Sequence, residues 1–378
     1  MSSPSPAPAP QRVEQIDSNF KAAEAGADRL WIDAFDCRVA LRGLGWLDEN
    51  RKTRGFRRLP DRAEAAMNPG VQTLSHHSSS VFLSFATDSP HVSVEIENSG
   101  VEVMNHMPST GSRGAELYFR DGNQWLAVAT AVPDLTTPTF RRDLLIDLPS
   151  KMREFRLYLP LYHRPVSVRI GVAEGAAVQP IPAPAGQKPI FFYGTSITQG
   201  GCANTAGSDY VSILGRLLDR EVINFGFSGN GKGEPEVAEL ISEIDAEMFV
   251  LDYVANVPTA ELLGGTLEKF IPILRARHPE TPVVLLGGLF FDRVLGSRES
   301  WEVQQAKRDI VLDLYLRFRK AGDPNLHYID GFSLLGPGVT ASFVDGIHPT
   351  SAGFLQMAER LAPQLRAIQI WNRDFRAR

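Results

Sequence analysis

Hydrophobic and polar residues alternate with a period of two along much of the N-terminal half of the chain. The clearest examples are residues 92–96, 155–159 and 166–170, where Val, Ile, Leu or Phe occupies every second position. Such runs, separated by Gly, Pro, Asn and Asp, are typical of antiparallel strands that bury one face. We therefore predict an antiparallel β-sandwich, resembling a jelly roll, over residues 21–174. Residues 1–20, which begin with a run of Pro, Ala and Ser, are predicted to be a disordered tail.

The pattern changes after a proline-rich stretch at residues 175–188, which we interpret as a semi-rigid linker. Over residues 189–378, short runs that are apolar at every position alternate with amphipathic helical patterns. Buried strands that alternate with helices predict a parallel sheet between two helical layers, a three-layer, flavodoxin-like α/β domain. Strands are predicted at residues 190–193, 222–225, 248–253, 283–286 and 327–329, and helices at 211–218, 235–244, 267–277, 301–319 and 351–368.

Composition narrows the functional classes. A chain of 378 residues is long enough for two domains, and its net charge of −5 argues against a nucleic-acid partner. No apolar run could span a bilayer, and the sequence as written lacks a secretory signal. We therefore expect a cytoplasmic protein without a membrane partner, unless the N-terminus is processed or trimmed. The two cysteines, Cys37 and Cys202, fit a reducing compartment, and no Cys/His cluster has metal-site spacing in the sequence. No metal or cofactor is predicted, and the oligomeric state stays open.

Two segments carry the side chains of a serine nucleophile. Ser196 follows the first predicted strand of the α/β domain in Gly-Thr-Ser, and Asp345 and His348 form a D-x-x-H pair just before the last predicted helix. In parallel sheets, ligands bind beyond the carboxyl ends of the strands. A histidine that takes the serine proton, with a carboxylate behind it, turns a weak hydroxyl into a strong nucleophile. Taken alone, however, Ser196 could cap a helix, and Asp345 could be a capping residue beside a surface histidine.

Two further loops could complete such a site. The glycine-rich segment 226–232 could direct backbone N–H groups at an oxyanion, with Gly229 as the best-placed donor. The same segment fits the start of a phosphate-binding loop, but Gly233 stands where that loop needs Ser or Thr, and Glu234 would repel phosphate. Asn256 follows the third strand and could donate its amide to the oxyanion, or could simply end the strand.

Other polar residues receive structural interpretations. Asp252 is predicted to end a strand or to support the site from behind, and Cys202 to be a small packing residue. Four histidines in the sandwich half are predicted to be structural: His76, His77, His106 and His163.

In their order along the chain, these segments resemble the blocks of the SGNH hydrolases, the GDSL-type esterases. The resemblance implies that Ser196 is the nucleophile and that Asp345 and His348 complete a triad. It also implies that the oxyanion hole consists of the backbone N–H groups of Ser196 and Gly229 and the amide of Asn256. The chain departs from the family pattern in having Gly-Thr-Ser where Gly-Asp-Ser is common, and valine after the asparagine of the third block.

The N-terminal half resembles the sandwich that precedes one GDSL-like subfamily and carries a G-x-D-L-Y motif. Here the motif is Gly-Ala-Glu-Leu-Tyr at residues 114–118, so that Glu116 replaces the aspartate. The resemblance implies a serine esterase that hydrolyses small acyl esters, acetyl esters first among them, on a carbohydrate or another small molecule. One alternative is an acyltransferase that moves an acyl group from a thioester to a sugar or other hydroxyl. A non-catalytic carbohydrate-binding protein is the other, and the intact Ser, Gly, Asn, Asp and His set argues against it.

Overall fold

The computed structural model describes residues 12–336 and 342–376 of the chain. In the N-terminal half, the helices are α1 (Val13–Ile16), α2 (Leu47–Thr53), α3 (Pro69–Ser75) and α4 (Ser109–Ser112), with 3₁₀ turns at Ser18–Phe20 and Asp61–Ala66. The strands are β1 (Arg29–Asp33), β2 (Ala40–Arg42), β3 (Phe82–Thr87), β4 (Val92–Asn98), β5 (Ala115–Asp121), β6 (Gln124–Ala131), β7 (Thr139–Leu145), β8 (Arg153–Tyr158), β9 (Pro165–Ala173) and β10 (Val178–Pro180).

The C-terminal half alternates strands with helices. Its elements are β11 (Ile190–Gly194), α5 (Ser196–Gln199), α6 (Tyr210–Leu217), β12 (Val222–Gly226), α7 (Pro235–Ile241), β13 (Met248–Asp252), α8 (Ala260–Arg277), β14 (Val283–Leu286), α9 (Arg298–Lys320), β15 (Leu326–Ile329) and α10 (Ser351–Arg376). Short 3₁₀ turns lie at Val254–Asn256, Asp292–Gly296 and Gly331–Ser333. No helix among the described residues is long and apolar enough to cross a membrane.

Two antiparallel sheets form the predicted sandwich. One has the strand order β1-β9-β4-β7, and the other the order β10-β3-β8-β5-β6, with β2 added to β3. The side chains buried between them include Val94, Ile96, Leu157 and Ile170, which belong to the alternating runs seen in the sequence. The alternating pattern predicts polar residues exposed on the outer face of the sandwich, but Glu95 is buried there. It pairs with Arg141 of β7 and Arg169 of β9, whose side chains cover it.

Some segments near the predicted domain limits have more structure than the sequence indicated. Strand β10 lies in the stretch predicted as a linker and pairs with β3. Helix α1 and the turn after it lie within the predicted tail, whose first 11 residues are outside the described part of the chain. The division of the chain into a sandwich over residues 21–174 and an α/β domain from residue 189 stays a prediction.

The segment between β2 and β3 leaves the sandwich and packs on the other half of the molecule. Trp46, Leu59, Met67 and Val71 join the hydrophobic cluster that covers one face of the parallel sheet. Hydrogen bonds also join this segment to the α/β domain; for example, the Trp46 indole N–H donates to Glu243 at 3.0 Å. The sandwich half therefore supplies part of the packing around the α/β domain.

The five-stranded sheet is parallel throughout, with the order β12-β11-β13-β14-β15, which confirms the predicted three-layer α/β fold. Alternate residues of its strands face two different cores: Phe191 and Phe249 lie on one side, Phe192 and Val250 on the other. The central strand β11 ends at Gly194, which pairs with Gly226 and Asp252 at the ends of the neighbouring strands. Three loops therefore leave the sheet side by side.

Candidate active site

Ser196 begins the one-turn helix α5 directly after β11. Thr195 is its N-cap, and the Thr195 hydroxyl accepts a hydrogen bond from the backbone N–H of Ile197. The Thr198 hydroxyl in turn accepts a bond from the backbone N–H of Thr195 at 3.1 Å. Among the described residues, no acceptor is found for the backbone N–H of Ser196. The turn therefore fixes the serine and leaves one N–H group available beside it.

His348 lies between Ser196 and Asp345. Its Nε2 is 2.8 Å from Ser196 Oγ, and its Nδ1 is 2.7 Å from Asp345 Oδ2. An ionised carboxylate can only accept hydrogen bonds, so in the neutral ring Nδ1 carries the proton and Nε2 offers its lone pair to the serine hydroxyl. The side chain of His348 retains 21% of its exposure and that of Asp345 36%, so the group opens to solvent.

The loop that carries this pair is tightly folded. The backbone N–H groups of Ile347 and His348 both donate to Asp345 Oδ1, at 3.0 and 2.8 Å, and the backbone N–H of Val344 donates to the carbonyl of His348. Partial burial raises the pKa of Asp345, but hydrogen bonds from the backbone and side chain of His348 outweigh it and lower the pKa to about 2. Asp345 is therefore ionised at neutral pH.

Close backbone packing brings the histidine to the serine. A β-carbon on Gly201 would lie 3.3 Å from His348 Cδ2, 3.1 Å from the Ser196 carbonyl oxygen and 2.9 Å from the Tyr162 hydroxyl. The hydroxyl of Tyr162, from the sandwich half, donates to the same Ser196 carbonyl at 3.3 Å. A side chain at position 201 would therefore have to displace one of these groups.

The loop after β12 places Gly229 at the edge of the site. Phe227 N–H donates to the carbonyl of Gly194 at 3.0 Å, and Ser228 N–H donates to Gln199 Oε1 at 3.0 Å, so both ends of the α5 turn hold this loop. Gly229 has φ +68° and open space where a β-carbon would stand. Within the described part of the chain, its N–H has no acceptor.

The geometry of the glycine loop argues against a phosphate-binding site. One carboxylate oxygen of Glu234 accepts bonds from the Lys232 backbone N–H at 3.1 Å and from the Tyr193 hydroxyl at 2.7 Å. A negative charge thus already occupies the turn where a phosphate would need free donors.

Asn256 does not have a free amide in this structure. Its Nδ2 donates to the carbonyls of Phe227 and Gly231, at 3.1 and 3.0 Å, and so bridges the two sides of the glycine loop. Both N–H bonds of the amide are thereby used. To donate to an oxyanion as the sequence predicts, the amide must exchange one of these carbonyls for the new acceptor.

Sequence reasoning missed the residue that holds the glycine loop from behind. Arg58 is buried, and its guanidinium donates to the carbonyls of Asn224 and Gly226 at the end of β12, and to those of Leu74 and His77. Burial lowers the pKa of Arg58 to about 9, which still leaves it charged at neutral pH. None of the sequence motifs considered above gives this arginine a role.

His77 and Gln199 extend the support. Gln199 Nε2 lies 3.1 Å from His77 Nδ1, while Gln199 Oε1 accepts the Ser228 N–H. Burial and the neighbouring charge of Arg58 lower the pKa of His77 to about 3, so the neutral ring can accept the amide hydrogen. The structural interpretation of His77 thus corresponds to its place in the structure, which is beneath the active-site loops.

Asp252 lies under the nucleophile turn. Its Oδ2 accepts hydrogen bonds from the hydroxyls of Thr198, at 2.9 Å, and Tyr210, at 2.8 Å. Burial raises the pKa of Asp252 to about 6, although these two hydrogen bonds act in the opposite direction. The carboxyl group connects β13 with α5 and α6, and it is buried rather than open to a substrate.

His106, interpreted as structural from the sequence, lies against the triad histidine. The ring centroids of His106 and His348 are 5.9 Å apart, and His106 itself is exposed. Nothing in the sequence around His106 places it there, because the contact depends on how the sandwich packs on the α/β domain.

Comparisons with known proteins identify the family of the chain. Residues 187–366 match the GDSL-like Lipase/Acylhydrolase family, and residues 29–178 match the GxDLY family, described as the N-terminus of SGNH-hydrolase-type esterases. The chain belongs to the GDSL-like SGNH hydrolases. Among curated proteins, no sequence matches this hydrolase significantly.

Several solved structures share its fold over most of their length. A protein from Bacteroides ovatus ATCC 8483, described as a GDSL-like lipase, is 27% identical, with a TM-score of 0.83 over 90% of this chain and 98% of its own. The salicylyl-acyltransferase SsfX3 from a tetracycline biosynthetic pathway is 21% identical, with a TM-score of 0.70 over 92% and 99% of the two chains. A family two carbohydrate esterase from Clostridium thermocellum, in complex with cellohexaose, is 15% identical, with a TM-score of 0.57 over 77% and 93%.

Proposed function

We propose that this SGNH hydrolase is a serine esterase that cleaves small acyl esters through an acyl-enzyme at Ser196. The observation that carries the proposal is the continuous line of hydrogen-bonding contacts from Ser196 Oγ through His348 to Asp345, at 2.8 and 2.7 Å. Each contact lies within the reach that proton transfer requires. The ester carbonyl carbon is attacked by Ser196 Oγ while the hydroxyl proton passes to His348 Nε2.

Asp345 supports the charge that forms on the imidazole. It remains a carboxylate when His348 is protonated, so the imidazolium is stabilised and the ring stays oriented towards the serine. His348 then gives its proton to the leaving alkoxide, and the alcohol departs. In the second half of the reaction His348 takes a proton from water while the water oxygen attacks the acyl-serine. His348 then returns the proton to Ser196 Oγ as the acyl–Oγ bond breaks, and the acid is released.

The oxyanion of each tetrahedral intermediate would be held by the backbone N–H groups of Ser196 and Gly229. Both donors are fixed before substrate binds, because the turn of α5 and the Gln199–Ser228 bond hold them. Donors that need no rearrangement contribute most to transition-state stabilisation. Asn256 is the third donor in this proposal, once its amide exchanges a loop carbonyl for the oxyanion.

Acetyl and similar small acyl groups on carbohydrates are the proposed substrates. Support comes from the fold, which this chain shares with a family two carbohydrate esterase and with an acetyl xylan esterase from Butyrivibrio proteoclasticus. The exposure of His348 and Asp345 also favours a site that a bulky alcohol, such as an oligosaccharide, can reach from solvent.

An acyltransferase is the second candidate, and one observation favours it. The salicylyl-acyltransferase superimposes with a TM-score of 0.70, higher than the 0.57 of the cellohexaose-bound esterase. The two activities share the acyl-enzyme and differ only in whether water or an acceptor hydroxyl attacks it.

Product analysis separates the two candidates. The purified protein is incubated with acetylated xylo-oligosaccharides, and with acyl thioesters in the presence and absence of sugar acceptors, while free acid and acylated acceptor are measured. We expect acetate release from the oligosaccharides that is independent of added acceptor. Acylated acceptor formed in preference to free acid would establish the transferase instead, and sugar binding without turnover would establish a binding protein.

A further inference from the structure

Three potential metal ligands from distant parts of the chain meet at the mouth of the site. His106 comes from the sandwich half, Cys202 from the loop after α5, and His348 from the loop before α10. One ligand atom from each side chain lies within 4.8 Å of the other two. Their positions in the sequence carry no metal-site spacing, which is why composition and motifs predict no metal at all.

Both histidines have their Nδ1 hydrogen engaged elsewhere. His348 Nδ1 faces Asp345 Oδ2 at 2.7 Å, and His106 Nδ1 faces the side-chain oxygen of Asn105 at 2.6 Å. In the neutral rings, these acceptors place the proton on Nδ1, so each Nε2 carries a lone pair. That of His348 faces Ser196 Oγ, the contact that a bound ion would replace. Metal-binding histidines are held in the same way, by a carboxylate or carbonyl oxygen on the nitrogen that does not bind the ion.

We propose that His106, Cys202 and His348 form an inhibitory binding site for Zn²⁺. Two imidazoles and a thiolate are a donor set that Zn²⁺ prefers, and three protein ligands with one open position are common at zinc sites. Binding takes the Nε2 lone pair of His348, so the ring can no longer accept the Ser196 proton. Cys202 binds as the thiolate, and its proton is released to solvent.

The geometry needs only a small adjustment. Ligand atoms around tetrahedral Zn²⁺ lie roughly 3.3–3.6 Å apart, given Zn–N and Zn–S distances of about 2.0 and 2.3 Å. The ligand atoms, which now lie within 4.8 Å of one another, must therefore approach by at most about 1.2–1.5 Å. Cys202 is buried, whereas His106 is exposed at the surface, so the adjustment is assigned to His106.

Direct binding tests the site without relying on catalysis. Zn²⁺ is titrated into chelator-treated, reduced protein by calorimetry, in the wild type and in Ser196→Ala, Cys202→Ser, His106→Gln and Cys37→Ser. Cys37 is the matched control, because it is the other free cysteine and lies exposed in the sandwich half. We expect one Zn²⁺ per chain in the wild type, Ser196→Ala and Cys37→Ser, and at least tenfold weaker binding in Cys202→Ser and His106→Gln. Equal affinity in all five proteins, or no binding by the wild type, would overturn the site.

Inhibition is the second readout, and it rests on the proposed esterase activity. Stoichiometric Zn²⁺ should abolish most ester hydrolysis by the wild type and Cys37→Ser, and EDTA should restore it. In His106→Gln and Cys202→Ser, the Zn²⁺ concentration for half inhibition should rise at least tenfold. Zn²⁺ that binds at the three residues and leaves hydrolysis unchanged would overturn the inhibitory role. If the protein hydrolyses no ester, the proposed function fails, and the calorimetry still decides whether the zinc site exists.

Discussion

Arg58 Nη1 lies 2.6 Å from the carbonyl oxygen of Gly226, so a side chain outside the α/β domain fixes the end of the strand that leads into the glycine loop. The remaining bonds of the guanidinium go to Asn224, Leu74 and His77, all of them backbone carbonyls. One buried cation thus joins the sandwich half to the loop that carries Gly229. The N-terminal half is therefore part of the framework of the active site.

Replacement of Arg58 by methionine should destabilise the whole protein. The change leaves four carbonyl groups without their donor, and buried unpaired polar groups cost about 1–3 kcal/mol each. We expect a loss of about 3 kcal/mol or more in the free energy of unfolding, measured by urea denaturation. Arg298→Met is the matched control, because its pair with Glu302 is exposed and such pairs contribute about 0.5 kcal/mol or less. Equal losses in the two variants would contradict the role given to Arg58.

Gly201→Ala should lower kcat while the protein stays folded. The added β-carbon would meet His348 Cδ2 at 3.3 Å and the Tyr162 hydroxyl at 2.9 Å, which moves the histidine away from Ser196. We expect a loss of roughly tenfold or more, since a displacement of about 1 Å can cost 10²-fold. Gly265→Ala, on the open side of α8 where nothing lies within 4 Å, should leave kcat unchanged. Normal turnover by Gly201→Ala would show that the close contact has no catalytic consequence.

Asn256→Ala should reduce kcat by about 10²–10³-fold, the usual effect of removing one oxyanion donor. The variant also loses the bridge between the carbonyls of Phe227 and Gly231, so its thermal stability is measured beside its kinetics. Lowered stability with near-normal kcat would mean that Asn256 only braces the glycine loop and never reaches the oxyanion.

Asp252 should make the protein less stable as the pH rises from about 4 to 6, the opposite of the usual effect of a buried aspartate that is ionised in the folded state. Its pKa is about 6 in the folded protein, whereas an aspartate in an unfolded chain has a pKa near 3.8, so between these values the unfolded chain is ionised while the folded chain holds a proton. Stability is therefore lost as pH rises through this window, by about 3 kcal/mol from this group. The free energy of unfolding of Asp252→Asn, measured by chemical denaturation, should therefore increase relative to that of the wild type as the pH rises from 4 to 6.5. A difference between the two proteins that is constant with pH would contradict the shift.

Much of the α/β domain was predictable from the sequence because its strands are buried on both faces and bounded by clear turns. The observed strands β11 to β15 begin and end within one residue of their predicted limits. Helix α8 was less predictable: it begins at Ala260 rather than residue 267, because Gly264 and Gly265 weaken the helical pattern. Gly264 lies where a β-carbon would approach Ile310 to 3.0 Å, so the glycine serves the packing of α8 on α9.

The candidate site was predictable where chemistry and local sequence coincide, as at Ser196, Asp345 and His348. Contacts between the two halves of the molecule could not be predicted from the sequence. Arg58, Tyr162 and His106 reach the site only because the sandwich half packs on the α/β domain. The orientation of the Asn256 amide was likewise beyond the sequence, because it depends on where the carbonyls of a neighbouring loop point.

The central claim, that Ser196 is the nucleophile, is tested by the hydrolysis of p-nitrophenyl acetate by the wild type and Ser196→Ala. Ser208→Ala, in the loop before α6, is the control for the loss of a serine hydroxyl, and circular dichroism shows that all three proteins are folded. The account predicts that Ser196→Ala loses activity by about 10³-fold or more, as expected for a member of a triad, while Ser208→Ala retains most of it. Equal hydrolysis by Ser196→Ala and the wild type would contradict the account.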